Sequence, residues 1–422
     1  MKLTSGKDMK LTSSMLALVP AFALTAQPVV ETGSVTIAQD PDTRQVTIGY
    51  TLSGEPGVVT LDIRTNGVSI GGCHYSNAAG DVNRLIQPGD HTILWRPDKS
   101  WEGTVITDES VTAEVTAWAT NTPPDYMALD LSAPYGRWYY ASADAVPKGV
   151  GDRMYKSSKM LFRKIPAANV EWRIGSGTNY TYTIGTENST PHYVILTRDY
   201  YMAIYETTQA QFEEMFPTET NPSKFKNYEE SPYMPVETIR ADNVCTNGNS
   251  LLNGFASLIG DPSFGLPTEA QWEFAARAGK GTQLPNGKNL SVPCDKWNPV
   301  DPNLAGIAWV NGNSKGGDGV NRAHEVGLKE PNDFGLYDVI GNVWEFCRDS
   351  WTVFPVNPSP DPDVDPVMPY YKNIVKKGGA YSDASQNRYR NTLGYRAEQA
   401  ASGGSAQPYN GMRLCCDAIV IK

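Results

Sequence analysis

Only four histidines occur in 422 residues, and none of the six cysteines stands in a C-x-x-C pair. Finger-type and ribbon-type zinc sites need that spacing, so a structural zinc is disfavoured. There is no P-loop and no H-E-x-x-H, which removes the phosphate-cradling and zinc-protease chemistries that those motifs carry. Positive charge is short as well: 36 Lys and Arg stand against 46 Asp and Glu, for a net charge of -10 and a pI near 5.0. Binding a nucleic-acid backbone draws on clustered cations, and no basic patch is present, so nucleic acid is not an expected partner.

A long apolar run is found only at the start. Lys10 precedes a mainly apolar stretch from Leu11 to Leu24, with small residues at Ala21, Ala23 and Ala26. This is the order of a secretory signal peptide, expected over residues 1–26 with cleavage after Ala23 or Ala26. A membrane anchor would need a longer span, and Pro20 interrupts this one. The expectation is an exported protein, periplasmic or extracellular, with no membrane span once the leader is removed. Met1-Lys2-Leu3-Thr4-Ser5 recurs as Met9-Lys10-Leu11-Thr12-Ser13, leaving two candidate starts. In an oxidising compartment one or two disulfides are expected among Cys73, Cys245, Cys294, Cys347, Cys415 and Cys416, with the pairing open.

Turn formers and aromatics are plentiful: 38 Gly, 30 Pro and 10% aromatic residues suit a compact, loop-rich chain, and its length suits two domains. Val46 to Leu52 and Val59 to Arg64 alternate apolar with small or polar residues, and His91 to Trp95 and Val111 to Trp118 repeat the pattern. Half-buried strands read this way, so residues 27–130 are expected to form an all-β sandwich of the immunoglobulin or fibronectin kind. That domain carries no visible chemistry and reads as a spacer or adhesion module. Thr120 to Asp125 reads as a break, residues 131–169 as a connector, and residues 170–422 as a second domain. There, Thr208 with Gln211 and Thr268 with Gln271 form capping boxes ahead of two helices, the second closed by Gly279. The remainder is predicted as loops and short strands.

Several phrases of this second domain form an ordered set: Tyr205-Glu206-Thr207-Thr208, Leu266 to Glu273, Asn332 to Glu345, Lys377-Gly378-Gly379 and Gly411-Met412-Arg413. The set resembles the formylglycine-generating-enzyme, or sulfatase-modifying-factor, family. The resemblance implies that family's variant of the C-type lectin fold, an α+β domain with little regular secondary structure. From the residues themselves, Asp338 and Glu345 flank a Gly341-Asn342 turn and offer the all-oxygen surroundings calcium prefers. The resemblance implies structural calcium on the side chains of Asp338 and Glu345 and the carbonyls of Gly341 and Val343. It implies a second site on Asn303 and Asp318 with the carbonyls of Leu304 and Val320. The alternative is that Asp338 caps a turn and Glu345 pairs with an arginine.

The family's oxidases hold Cu(I) with two thiolates downstream of the Gly-Gly motif, because a soft ion selects soft ligands. Counting from Lys377-Gly378-Gly379 puts Asp383 and Arg388 at those positions, with Ala380 in place of a hydroxyl. A carboxylate is hard and a guanidinium keeps its proton, so copper and formylglycine-generating activity are not expected. Cys415 and Cys416 read as disulfide or core positions, and His192 and His324 as ordinary histidines rather than an iron triad. Asp383, Arg388, Tyr389, Arg390, Arg396 and Tyr409, with Tyr395 nearby, make a surface suited to a protein, peptide or glycan ligand. The leading expectation is a non-catalytic binding module; the alternative is a divergent oxidoreductase of the same family working on a peptide or small molecule without the two-cysteine copper site. A third reading is a ligand-binding protein diversified near its C-terminus.

Overall fold

The computed structural model describes residues 27–101, 106, 110–175, 191–244, 250–291, 300–352, 363–364, 373–383, 389–400 and 405–420. The expected leader, together with Cys245, Cys294 and Arg388, lies outside the described residues. Residues 27–119 form two antiparallel sheets, one centred on Val46–Ser53 and the other on Gly57–Thr65 paired with Val111–Ala119. Alternate residues point inward, so Val46, Ile48, Tyr50 and Leu52 meet Val59, Leu61 and Ile63 in one apolar cluster. These strands lie where the alternation put them.

Residues 131–169 are no connector. Tyr126–Asp130, Arg137–Tyr140 and Lys159–Ile165 pair antiparallel with one another, and the last pairs with Tyr200–Ala203. Cys415–Asp417 completes this five-stranded sheet on the far side of Tyr200–Ala203. The strands escaped the sequence reading because both of their faces are covered, which erases the polar alternation that marks a half-buried strand. Ala128, Leu161, Tyr200, Met202 and Cys415 belong to one core, while Met127, Phe162, Tyr201 and Cys416 belong to the core on the opposite face. The sandwich joins the second core through Val58, with Leu85 and Trp118 packed against it.

Both capping boxes are formed. Thr208 and Thr268 each accept the N3 backbone N–H, and the Gln211 and Gln271 side chains each accept the cap residue's own N–H. Helix Gln209–Met215 sends Phe212 and Met215 into one core; helix Glu269–Arg277 sends Ala270, Trp272, Ala275 and Ala276 into the other. Ala278 ends the latter helix in a left-handed conformation, φ 45°, just before Gly279. A third helix, Leu251–Leu258, was not anticipated: Ser250 caps it, but Asn253 stands at N3, so no capping box announces it. Among the described residues no helix is long and apolar enough to cross a membrane.

The four cysteines described, Cys73, Cys347, Cys415 and Cys416, are free thiols, which corrects the disulfide expectation for them. Cys347, Cys415 and Cys416 are core residues, and burial pushes the Cys415 thiol up to about 12. Cross-linking needs facing Cβ atoms, whereas neighbours on one strand point to opposite faces.

Charges are buried here too. Glu269 and Glu273, one helical turn apart, face Lys377, whose Nζ lies 2.8 Å from Glu273 Oε2 and 3.6 Å from Glu269 Oε1. Arg277 donates to Glu273 Oε1 from Nε at 2.8 Å and from Nη2 at 2.6 Å; Arg396 grips both oxygens of Glu269 at 2.5 and 2.6 Å. Burial alone would raise the Glu273 carboxyl, but the charges and hydrogen bonds of Lys377 and Arg277 outweigh it and hold the group at about 2. Removing one member leaves a cation uncompensated in the interior, so Glu273→Gln is expected to lose about 3 kcal/mol in urea unfolding. Because the folded-state pKa is depressed, the stability from Glu273 is complete above the ordinary carboxyl range and lost as pH falls toward 2. Urea titrations across that window check both statements.

Candidate binding cavity

Strand Asn373–Lys377 pairs with Trp344–Ser350 on one side and with Ala397–Ala400 on the other. Where these strands meet the loops around residues 382–383, 390–396 and 409 lies a cavity of about 550 Å³. Trp344, Trp351, Tyr395 and Tyr409 give it aromatic walls; Lys376, Asp383, Arg390, Arg396 and Glu398 give it charge. Gly379 is what lets the loop turn here, with φ of 78°: a Cβ would lie 2.2 Å from Asn391 Oδ1.

The residues proposed from sequence converge in part. Asp383 is buried, accepts the Ala380 N–H on Oδ2 at 2.9 Å, and holds Oδ1 3.4 Å from Arg390 Nη1. Burial raises its carboxyl, with the Ala380 hydrogen bond and Arg390 opposing. Tyr409 lines the cavity, while Tyr389 packs edge-on against Tyr395 at 5.4 Å between ring centres. Arg396 reaches the cavity wall but spends its guanidinium on Glu269, so it braces the site instead of offering a free cation.

Lys376 was missed. It is 7% exposed, with Nζ 5.3 Å from the Trp344 ring centre and 5.4 Å from that of Tyr409, and it donates to Asn410 Oδ1 at 3.1 Å. Burial lowers its ammonium to about 8, with Asp383 opposing that shift and Arg390 adding to it. In the sequence it is one of two adjacent lysines before Gly378, and nothing there separates it from a solvated surface lysine. Trp344 had a signal, since it sits inside the quoted motif.

The calcium ligands implied by resemblance are placed as follows. Glu345 accepts from Arg413 Nε and Nη2 at 2.8 to 3.1 Å and from Trp272 Nε1 at 2.5 Å, which is the alternative weighed for it. Asp338, at φ 54°, takes the Gly327 N–H on Oδ2 at 2.6 Å, while its buried Oδ1 has no partner among the described residues. Glu206 is buried beside them, accepting from Asn342 Nδ2 at 2.6 Å and from the Val343 N–H at 3.0 Å. Burial, with Asp338 and Glu345 adding, pushes Glu206 well above the carboxylate range; burial raises Asp338 to about 6. With Glu206 and Asp338 both raised by burial, the cluster holds less negative charge than three ionised carboxylates would, and the one oxygen that could take a cation is the spare Asp338 Oδ1; Glu345 could not, because Arg413 holds both of its oxygens. Gly341 turns at φ 82° with Val343 buried behind it.

At the second expected site each group is engaged locally. Asn303 Nδ2 donates to the Asn289 carbonyl, Asp318 binds Arg322 at 2.6 Å, the Leu304 carbonyl accepts from Ile307 and Ala308, and the Val320 carbonyl accepts from Gly316. Of the two side chains expected there, Asp318 is thus paired with Arg322. Among the described residues no group of three or more His, Cys, Asp or Glu is arranged to hold a metal ion. His324 stacks on Trp309 at 3.9 Å, with Nε2 3.0 Å from the Ser314 carbonyl, and His192 is buried in a strand.

The profile of a family described as the sulfatase-modifying factor enzyme 1-like domain matches residues 165–418. The formylglycine-generating enzyme of Thermomonospora curvata is 32% identical over 163 residues, covering 36% of this chain and 50% of the enzyme. The inactive C-alpha-formylglycine-generating enzyme 2 of Bos taurus is 43% identical over 88 residues, 20% of this chain and 27% of that protein. The chain thus spans half or less of the length of these two relatives. The solved structure of Treponema denticola variable protein 1 aligns with a TM-score of 0.49 at 23% identity, over 61% of this chain and 95% of that one.

The cavity lysine should be recognisable in solution. Its amine, followed by NMR on the isotope-labelled protein, is expected to titrate near 8 instead of at the usual 10.5, and Lys376→Arg should remove that transition.

Proposed function

The chain belongs to the sulfatase-modifying factor enzyme 1-like family, and within it we propose that this protein is an exported, non-catalytic binding module whose ligand enters the cavity beside Asp383. The observation that carries the reading is the setting of Asp383: a buried carboxylate bonded to the Ala380 N–H and facing Arg390, at the position where the family's oxidases need a thiolate. Oxygen-donor and guanidinium groups select against monovalent copper, so the position retains a shape without the ligand chemistry. The Bos taurus relative, inactive by name, supports the idea that this family includes chains without the oxidase activity. The aromatic and charged walls supply what a binding surface uses: large, stiff contact area and directional polar groups.

The N-terminal sandwich, of the immunoglobulin or fibronectin kind in this proposal, presents the module beyond the membrane. Calcium is part of the proposal at one place, Asp338, where a cation would answer a buried carboxylate oxygen that has no hydrogen-bond partner among the described residues. Melting the protein in millimolar Ca²⁺ and again in EDTA is expected to show a rise in Tm of about 3 °C with calcium; identical curves would remove calcium from the account.

The main test uses the protein recovered from the exported fraction, with its N-terminus after Ala23 or Ala26. Loaded with Cu(I) and then dialysed, it is expected to retain no stoichiometric copper and to consume no oxygen with a cysteine-containing peptide. One bound copper per chain with oxygen uptake would overturn the binding reading in favour of a divergent oxidoreductase.

A further inference from the structure

The binding reading leaves the ligand's chemistry open, and one amine in the cavity narrows it. Lys376 lines the half-open space of about 550 Å³ and is 7% exposed. Among the described residues no carboxylate comes within ion-pair distance of its Nζ; its hydrogen-bond partners are amide oxygens, Asn410 Oδ1 at 3.1 Å and Gln399 Oε1 at 3.5 Å. The first of these amides is oriented from behind, because Asn410 Nδ2 donates to Gln399 Oε1 at 3.1 Å and leaves Oδ1 facing the lysine. Lys377, the next residue, is the contrast: two carboxylates hold its ammonium in the closed interior.

A lysine so placed is more often a nucleophile than one in water. Burial penalises the charged form, the Arg390 cation adds to that effect and Asp383 opposes it, which brings the ammonium down from the usual 10.5 to about 8. At pH 7 about a tenth of the side chain is then free amine, roughly 300-fold more than for an ordinary surface lysine. The free amine has two N–H bonds and one lone pair. Two amide oxygens take the two N–H groups, so the lone pair is what is left unused. Desolvated lysines beside a second cation are the ones that add to carbonyl groups.

The rest of the lining indicates what sort of carbonyl compound fits. Charges in the cavity balance as they stand, Lys376 against Asp383 inside and Arg390 against Glu398 toward the rim, so a ligand needs no charge of its own. Trp351, Tyr395 and Tyr409 line the same space, each only partly buried, and give stiff aromatic contact area. The volume lies in the range of small-molecule sites. Among carbonyl compounds an aldehyde is the one that an amine attacks most readily, because its carbon carries a single substituent.

We propose that the cavity captures an uncharged aromatic aldehyde as an imine on Lys376 Nζ, with the ligand's ring beside Trp351, Tyr395 and Tyr409. The nitrogen lone pair forms the C–N bond as the C=O π pair moves onto oxygen; two protons pass from nitrogen to that oxygen, which leaves as water, so nothing is oxidised or reduced and no further reactant enters. This deepens the binding-module reading and rests on it.

Reductive trapping on the mature protein tests it. Benzaldehyde with cyanoborohydride at pH 7 turns each imine into a stable benzylamine, and peptide mass mapping gives the rate at every lysine and, separately, at the N-terminal amine. Lys376 is expected to label about tenfold or more faster than any other lysine, at a rate that rises with pH and levels off above about 8. Its lead over the other lysines should be about threefold or more larger with benzaldehyde than with acetaldehyde, which has no ring. Asn410→Asp sets a carboxylate beside Nζ and should slow labelling at Lys376 about tenfold, with melting curves to verify the fold. Labelling of Lys376 no faster than at exposed lysines, an equal lead with both aldehydes, or an unchanged rate in folded Asn410→Asp would overturn the proposal. Copper and oxygen uptake by the same preparation defeats the binding-module reading whatever the aldehydes do. A copper-free protein whose Lys376 ignores benzaldehyde defeats only this inference.

Discussion

The ammonium of Lys377, fully buried between Glu269 and Glu273, is the contact on which the functional half of the molecule depends. A lysine is tolerated there because two carboxylates, one turn apart on the same helix face, compensate it together. Its position then dictates its neighbours. Gly378 and Gly379 follow it with φ of 92° and 78°; a Cβ at Gly378 would press on the Val339 carbonyl at 3.1 Å, and one at Gly379 would collide with Asn391 at 2.2 Å. The same helix face holds Arg396 through Glu269, so one stripe of charge fastens the strand Asn373–Lys377 and the chain leading into Ala397–Ala400. The cavity opens between the parts so fixed. The strand beneath it is therefore fastened by ion pairs, while Lys376 packs against the rings of Trp344 and Tyr409.

This arrangement positions the loop after Gly379 without calling on a cysteine. The backbone turn after the glycines is set by the buried ionic ladder and by close packing, neither of which needs a thiol. Asp383 satisfies the Ala380 N–H and stays in register with Arg390.

The sequence made some of this legible and hid the rest for physical reasons. Three of the four principal strands of the first domain were visible because one face of each is wet; Gly57–Thr65, covered on both faces over its first half, was legible from its β-branched run. Both capping boxes were visible because reciprocal side-chain bonds leave a fixed three-residue spacing. The strand Lys159–Ile165 was not, since apolar residues on both faces carry no period. Helix Leu251–Leu258 lacked the N3 glutamine that marks the other two. In the cavity, Asp383 was reachable by counting from Lys377-Gly378-Gly379, and Arg390 and Tyr409 by their residue types nearby. Lys376 was not, because its value lies in burial between two rings, and burial of a lysine is a tertiary fact. Arg396 was named for the wrong reason: its type was right for binding, but its partner on the helix could be seen only once the helix was docked.

The closing strand Cys415–Asp417 pairs with Tyr200–Ala203, which precedes it by roughly two hundred residues. Until that late segment arrives, both apolar faces of the central sheet border an open edge, and Glu345 waits for Arg413. A nascent chain therefore cannot finish this half from its front end. Until the last strand is made, an unpaired strand edge is left that invites association with other chains. Truncation shortly before Arg413 would make that edge permanent.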